Sequence, residues 1–299
     1  MKRSVGEKVF NVVNITILLL FCVSTLYPFL NILAISFNEG KDAMLGGITI
    51  FPRKITLFNY EVVFRSGEIF GAFLFSVMMT LLRTAVILFT TAAGAYALTK
   101  KDLLFKKSLL TFFLIPMFIS GGLVPYYLLI RSLGLMNNIL VYILPITFDF
   151  YNAIIMRVYF QSNIPESLVE SAYLDGATDF GILARIILPL SKPMLAAMAL
   201  FIGVWAWNDW MTTMLFCSSE PKLWTLQFLL QRLVMQTNAA MKMAMTVASK
   251  SGKPMDQNLV TTQTITYATL MVATLPIVVI YPFLQKYFVS GLMLGSVKG

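Results

Sequence analysis

Histidine is missing from this chain, and cysteine occurs only twice, as Cys22 and Cys217. The first absence removes the commonest general acid-base side chain and the commonest metal ligand. The two thiols have no metal-ligand spacing, and both fall in or at the ends of apolar runs, where they read as small packing residues. A phosphate-binding loop is also absent. Gly252-Lys253 lacks the glycine five positions earlier, where Val247 stands, and Pro254 follows. No nucleotide-hydrolysis motif is left in the chain, and an intramembrane enzyme has little to build on. Charge is scarce as well: 12% of the residues are charged, too few to cover a soluble globule of this length.

What fills the chain instead is apolar. Hydrophobic residues make up 58%, and mean hydropathy is +0.78. A helix crosses the hydrocarbon with about 20 apolar residues, and six stretches qualify, near 10–36, 70–98, 109–130, 139–160, 194–217 and 264–285. They are continuously apolar and do not alternate, which argues against a transmembrane barrel and predicts an all-α membrane protein of six helices. The first run is too long for the apolar region of a signal peptide and is expected to stay as an uncleaved span. The net charge of +9 is scattered over the loops. It is not gathered with aromatics on one face, so nucleic acid is not an expected partner. Lys100, Lys101, Lys106 and Lys107 crowd the connection after the second span, whereas only Arg131 follows the third. That bias puts the former connection, and with it both termini, in the cytoplasm.

The connections carry their own signals. Residues 37–69, with Gly46, Gly47 and Pro52, read as an external loop with a short amphipathic piece. Pro116, Gly121, Gly122 and Pro125 interrupt the third span, either as a packing kink or along a water-filled path. Residues 218–263 form a second long external loop, in which Leu226, Leu229, Leu230 and Leu233 have helical spacing. In the fifth span Trp205, Asn208, Asp209 and Thr212 lie near the helix middle, with Trp205, Asp209 and Thr212 on one face. A carboxylate at that depth faces protein or a water-filled route, so the four are candidates for a translocation pathway or for an interhelical hydrogen-bond cluster. Arg83 and Asp149 raise the same question.

The loop 161–192 is the most organised polar stretch. Asn163 is placed to cap a helix with Pro165 in its first turn and Glu166 three residues on. Ile164, Leu168 and Ala172, with Val169 and Tyr173, give it one apolar face. Gly176 allows a turn that a side chain would obstruct, and Ser171, Ala172 and Ala177 keep the surface shallow for docking. Thr178 or Asp179 starts a second helix, and Pro189 and Pro193 punctuate the approach to the next span.

Residues 170–189, ESAYLDGATDFGILARIILP, resemble the EAA loop of ABC importer membrane subunits, with Ser171 replacing one of the small residues. The resemblance assigns Glu170, Ala172, Asp175, Gly176, Ala177, Ile186, Leu188 and Pro189 to coupling with an ATPase. Residues 51–60, FPRKITLFNY, are similar to the segment before a helix in carbohydrate permeases. The ending from Gln285 to Gly299 is similar to the tail of the maltose and multiple-sugar class, in which Gly291, Gly295, Lys298 and Gly299 would enter the ATPase interface. The run Trp205 to Trp210 resembles the Trp-Asn-acidic pattern of the same class. Its polysaccharide branch, which includes pectin-type oligosaccharides, is the most similar.

The resemblance implies a type I ABC importer permease fold spanning residues 1–299 as one transmembrane domain, in a bacterial cytoplasmic membrane. It implies a homologous second permease, two ABC ATPase subunits, and an extracellular solute-binding protein docking on loop 218–263. The cargo would be a carbohydrate; ATP and Mg would be bound in the ATPase subunits and no cofactor by this chain. An importer for a simple mono- or disaccharide is the alternative within the class. An ion-coupled secondary transporter using Arg83, Asp149 and Asp209 is the alternative outside it.

Overall fold

The computed structural model describes residues 5–119, 121–235 and 261–293. Within them the chain is helical, and one isolated antiparallel bridge joins Asn38 to Ile55. Contacts divide it into two compact units, one of Met1–Phe70 with Leu229–Leu275 and the other of Gly71–Phe228 with Pro276–Gly299.

In the first unit, α1 (Val5–Ser36) is a single apolar helix whose side chains are exposed over almost all its length. Its hydroxyls need no partner helix. Thr16, Ser24 and Thr25 donate to carbonyls one turn back, at 2.8, 2.8 and 3.0 Å, which lets polar side chains sit in an apolar helix. After it come α2 (Gly40–Met44) and α3 (Phe58–Arg65), pinned by two buried asparagines. Asn59 donates to the carbonyls of Ser36 and Asn38, both at 2.9 Å. Asn38 accepts from the amides of Arg53 and Lys54, both at 2.8 Å. The connection 37–69 therefore holds two short helices, Gly40–Met44 and Phe58–Arg65, and its backbone groups are satisfied by side chains.

Two helices have residues in both units: α4 (Glu68–Ala97) and, at the far end of the sequence, Thr262–Met293. With α1 they are the helices long and apolar enough to span a bilayer unbroken. Two of the other expected spans are bent pairs, α5 (Lys106–Phe118) with α6 (Leu123–Ser132) and two 3-10 turns over Ile139–Ile146 with α7 (Phe150–Asn163); a third bent pair, Asp179–Leu190 with Lys192–Trp207, joins the end of the loop 161–192 to the start of the expected fifth span. The second pair is bent by 50° and the third by 86°. Each break has a chemical cause. Gly122 has φ +83° between α5 and α6, the Asp149 side chain caps α7 at the second break, and Pro193 sits in the first turn of Lys192–Trp207, a position that needs no amide donor.

The second unit has two apolar clusters along α4. Phe75 and Met79 pack with Ile130, Tyr142 and Phe216, while Ala92 and Tyr96 pack with Met156, Phe160, Ile182 and Met198. This sorts its connections into two groups. The turns near residues 133–142 and 217–223 gather at the first cluster, and the loop 161–192 lies against the second.

Gly94 faces the Phe148 ring so closely that a Cβ there would overlap it. Phe148 is itself held against Phe113, with ring centroids 5.5 Å apart. Gly94→Ala is therefore expected to destabilise the protein by about 1–3 kcal/mol through overpacking, seen as a lowered melting temperature in detergent; Gly94→Ala with Phe148→Leu should recover part of the loss.

Candidate coupling loop and buried charge pair

The loop 161–192 folds as a helix-turn-helix. Its first helix, α8 (Glu166–Leu174), starts after Ile164 and Pro165. Asn163 ends α7 and donates to Tyr159 O at 3.0 Å; it does not cap α8, because Pro165 already sets the turn and stands at the cap position itself. At the other end the Ala177 amide donates to Ala172 O at 2.9 Å and the Gly176 amide to Tyr173 O at 3.0 Å. These are the paired bonds of a Schellman turn, which needs a left-handed residue, and Gly176 supplies φ +80°. A Cβ at Gly176 would meet nothing within 4 Å. The demand for glycine is thus one of backbone conformation and not of space. Thr178 then caps α9 (Asp179–Ile182), accepting from Gly181 N at 3.2 Å. A π-helical turn (Leu183–Ile187) and α10 (Leu188–Leu190) lead into α11 (Lys192–Trp207).

The expected coupling residues separate into two sets. Ala172, Ala177, Ile186 and Leu188 pack against the chain's own core cluster, together with Val169. Glu170, Asp175 and Pro189 are exposed. Ala172 and Ala177 are half-buried and serve internal packing on one side, because the turn that makes them hydrogen-bond partners also folds them toward the core. Leu168 belongs to the expected apolar face but is exposed, as are Leu174, at 90%, and Phe180, at 65%. The last two lie outside the four-residue spacing, so periodicity did not single them out.

A polar knot fastens the loop to the end of α4. Lys100 Nζ lies 2.9 Å from Asp179 Oδ1 and donates to the hydroxyls of Tyr96 and Tyr173. It also sits 4.2 and 4.6 Å over their rings. Lys101 pairs with Glu166 at 2.6 Å. Burial acts to lower the Lys100 pKa, but the hydrogen bonds to Tyr173, Tyr96 and Asp179 outweigh it and hold the ammonium above its ordinary value of 10.5. Asp179 is held below 3.8 by the hydrogen bond from Tyr173 and then by Lys100. Partial burial, followed by the bond to Asp179, pushes Tyr173 up to about 12.

A second constellation lies between the two clusters. Arg83 of α4 is 2% exposed, and its Nη1 lies 2.9 Å from Asp209 Oδ2. Trp205 covers the guanidinium, with Cζ 4.6 Å from the ring centroid. The expected continuous fifth span is broken here: α11 ends at Trp207 and α12 (Met211–Phe216) begins beyond Asn208, Asp209 and Trp210. The sequence itself causes the break. Asp209 Oδ1 accepts from Thr212 N at 3.1 Å and Oδ2 from Thr212 Oγ1 at 2.6 Å, capping α12, while Asn208 Nδ2 donates back to Val204 O at 2.8 Å. Side chains of this kind compete with the helical ladder. Trp205 also lines a cavity of about 1000 Å³ with Phe148, Phe150, Tyr151, Asp149 and Asn152. Asp149 caps α7, accepting from Asn152 N at 3.1 Å.

Sequence spacing could not pair Arg83 with Asp209, 126 positions apart; the available signal was that each is ionisable within an apolar run. Gly291 falls in the described part of the last helix. Gly295, Lys298 and Gly299, and most of the loop 218–263, lie outside the described residues.

Arg83→Met would leave the Asp209 carboxylate buried without its cation, and a cost of about 3–5 kcal/mol is expected. Arg83→Met with Asp209→Asn should cost clearly less; equal losses in unfolding measurements would contradict a direct pair. The knot at Lys100 gives a pH window. The depressed Asp179 contributes stability above 3.8 that is lost as pH falls through its lower native value. The raised Lys100 contributes stability below 10.5 that is lost as pH rises through its higher native value. Hydrogen-exchange protection of residues 173–180, corrected for intrinsic rates, should stay level between those limits; a step near neutral pH would refute the assignment.

The comparisons with known proteins agree with this architecture. Residues 87–293 match the family model described as "Binding-protein-dependent transport system inner membrane component". The polygalacturonan/rhamnogalacturonan transport system permease protein YtcP of Bacillus subtilis is 36% identical, over 98% of this chain and 99% of its own length. The arabinooligosaccharides transport system permease protein AraQ of Halalkalibacterium halodurans is 29% identical over 91% of each chain. Among solved structures, a chain of a bacterial ABC transporter involved in the import of the acidic polysaccharide alginate superposes with a TM-score of 0.84. It is 27% identical, and the match covers 96% of this chain and 99% of that one. A family match over most of the chain, with relatives similar from end to end, shows that the chain belongs to the inner-membrane components of binding-protein-dependent transport systems.

Proposed function

We propose that this chain is one of two non-identical membrane subunits of an ATP-driven importer that takes up oligosaccharides handed over by an extracellular solute-binding protein. Its family is a membrane component and not a nucleotide-binding one, so ATP and Mg belong to two partner ATPase subunits. In this reading the chain is a single permease domain of six spans in the bacterial cytoplasmic membrane, with Lys106–Ser132 and Ile139–Asn163 each counted as one bent span, the fifth span beginning after the loop 161–192, and both termini inside. The lysine-rich connection at Lys100 and the loop 161–192 are joined by the Lys100–Asp179 pair, which supports a common, cytoplasmic side for both.

The observation that carries the proposal is the two-sided construction of the coupling loop. Its apolar residues bind it to this chain, while Glu170, Asp175, Leu174 and Phe180 stay exposed, a mixed acidic and apolar surface that suits a protein partner. An element anchored on one side and free on the other transmits displacement. ATP closes the ATPase pair, the loops are carried with it, and the membrane subunits turn outward; hydrolysis resets them. The shift requires ATP to favour one global state over the other, since equal affinity shifts nothing.

Trp205, Asn208, Asp209 and Thr212 would line or shape the pathway. The aromatic cavity beside Trp205, with Asp149 and Asn152 in its wall, suits a sugar, which offers apolar C–H faces and hydroxyls. The names of the relatives, which refer to polygalacturonan, rhamnogalacturonan, arabinooligosaccharides and alginate, support an oligosaccharide over a simple mono- or disaccharide. The C-terminal tail with Gly291, Gly295, Lys298 and Gly299 is proposed to reach the ATPase interface.

The test is uptake of labelled oligosaccharide by the full assembly in proteoliposomes. Transport should require internal ATP and the external binding protein. Glu170→Ala should lower it by roughly 5–150-fold, the range of typical coupling energies, with the assembly still intact on gel filtration. Uptake that follows an ion gradient and ignores ATP would sink the proposal in favour of a secondary transporter.

A further inference from the structure

The root of the loop 218–263 is tied to the break in the fifth span by a chain of buried hydroxyls. Tyr142 OH donates to Leu223 O at 2.8 Å and shares a hydrogen bond of 2.7 Å with Thr213 Oγ1. Thr213 Oγ1 lies 3.0 Å from Thr225 Oγ1. Thr225 Oγ1 in turn lies 3.2 Å from the carbonyl of Asp209, the residue that holds Arg83. Tyr142 and Thr213 are fully buried and Thr225 is 4% exposed. On the loop side, Thr225 Oγ1 also accepts from Phe228 N at 3.3 Å, and Leu226 N donates to Ser76 Oγ of α4 at 2.8 Å.

The proton count makes this chain more than a brace. Each hydroxyl carries one proton. The four contacts Leu223–Tyr142, Tyr142–Thr213, Thr213–Thr225 and Thr225–Asp209 therefore share three protons, and one contact is always without a donor. Thr225 can give its proton to Thr213 or to the Asp209 carbonyl, but not to both. A small movement of the loop root exchanges one arrangement for the other with no exposure to water, as a discrete two-state element requires.

We infer that Thr225 and Tyr142 are positioning residues through which engagement of the external loop by the solute-binding protein is relayed to the Arg83–Asp209 pair, and so to the pathway. This rests on the proposed importer function. It assigns a role in signalling, not in binding cargo, to two residues outside the coupling loop and outside the candidate pathway.

The experiment compares ATPase activity of the full reconstituted assembly with and without saturating sugar-loaded binding protein. Thr225→Val keeps the shape and deletes the hydroxyl, Tyr142→Phe does the same, and Thr225→Ser restores a hydroxyl. Both deletions should leave basal ATPase activity and binding-protein affinity within about twofold and cut the stimulated activity by at least about fivefold, the low end of site coupling. Thr225→Ser should recover most of it. Stimulation at the normal ratio in both deletions, or a loss explained by weaker binding-protein affinity or by a fall in basal activity, would overturn the relay. A parent assembly that shows no stimulation at all would instead remove the importer reading on which it stands.

Discussion

The charge pair between Arg83 and Asp209 constrains the unit that contains it more than any other contact. A guanidinium 2% exposed within an apolar helix is tolerable only with a partner, and the partner has to come from elsewhere in the chain. Asp209 can reach it because the fifth span breaks at Asn208–Trp210. The same carboxylate accepts a free amide in the first turn of the helix that resumes after the break, so breaking the helix and pairing the arginine's Nη1 are one event. Because Trp205 stacks on the guanidinium and lines the neighbouring cavity, the electrostatic solution also shapes the cavity wall. An uninterrupted helix would pack more simply, but it would lose the free N-terminal amides that Asp209 serves.

The coupling loop follows a different logic. Its conformation is over-determined from within: Gly176 takes the left-handed position, Ala172 and Ala177 complete the Schellman turn and pack inward, Thr178 caps the next helix, and Lys100 binds Tyr173 and Asp179. Each constraint is modest, and together they make the loop stiff. Stiffness is what a coupling element needs, since a flexible loop would absorb the displacement imposed on it. Asp179 is held below and Lys100 above its ordinary value, so their pairing is insensitive to pH near neutrality. What remains outside, Glu170 and Asp175 with Leu174 and Phe180, is free to be shaped by a partner.

Helical class, the apolar stretches and the helix-turn-helix within 161–192 were legible in the sequence because each rests on local pattern: run length, proline and glycine punctuation, and residue spacing. The cap at Thr178 and the helix at Leu226–Met235 were readable for the same reason. Sequence spacing failed where a side chain took a role that depends on distant partners. Asp209 read as a mid-helix residue because nothing local announces that it will cap a new helix while holding an arginine from another span. Asn163 read as a cap because its spacing to Pro165 and Glu166 was right, yet the preceding helix runs on through it. Ala172 and Ala177 read as small residues that keep the loop surface shallow, and nothing local announced that they also pack against the core cluster. Short motifs fix local geometry; which face meets the core is settled by the rest of the chain.

One helix links all these features within the second unit. On α4, Ser76 accepts the amide of Leu226 at the loop root, Arg83 holds the helix break, and Tyr96 joins the knot on the coupling loop. At 1.5 Å per residue, the 20 positions from Ser76 to Tyr96 correspond to about 30 Å, the thickness of the hydrocarbon layer. A helix of that length with its hydrogen bonds intact is too stiff to pass a signal by stretching. It can shift or rotate as a body, and then its three attachments must respond together. Two of them can do so without exposing a charge: the hydroxyl chain by reassigning a proton, and the coupling loop by moving with α4 through the lysine knot. The arginine cannot, because separating it from Asp209 strands two buried charges. Motion of α4 is therefore expected to carry the Asp209 break with it, which concentrates the change in shape at the cavity wall formed by Trp205.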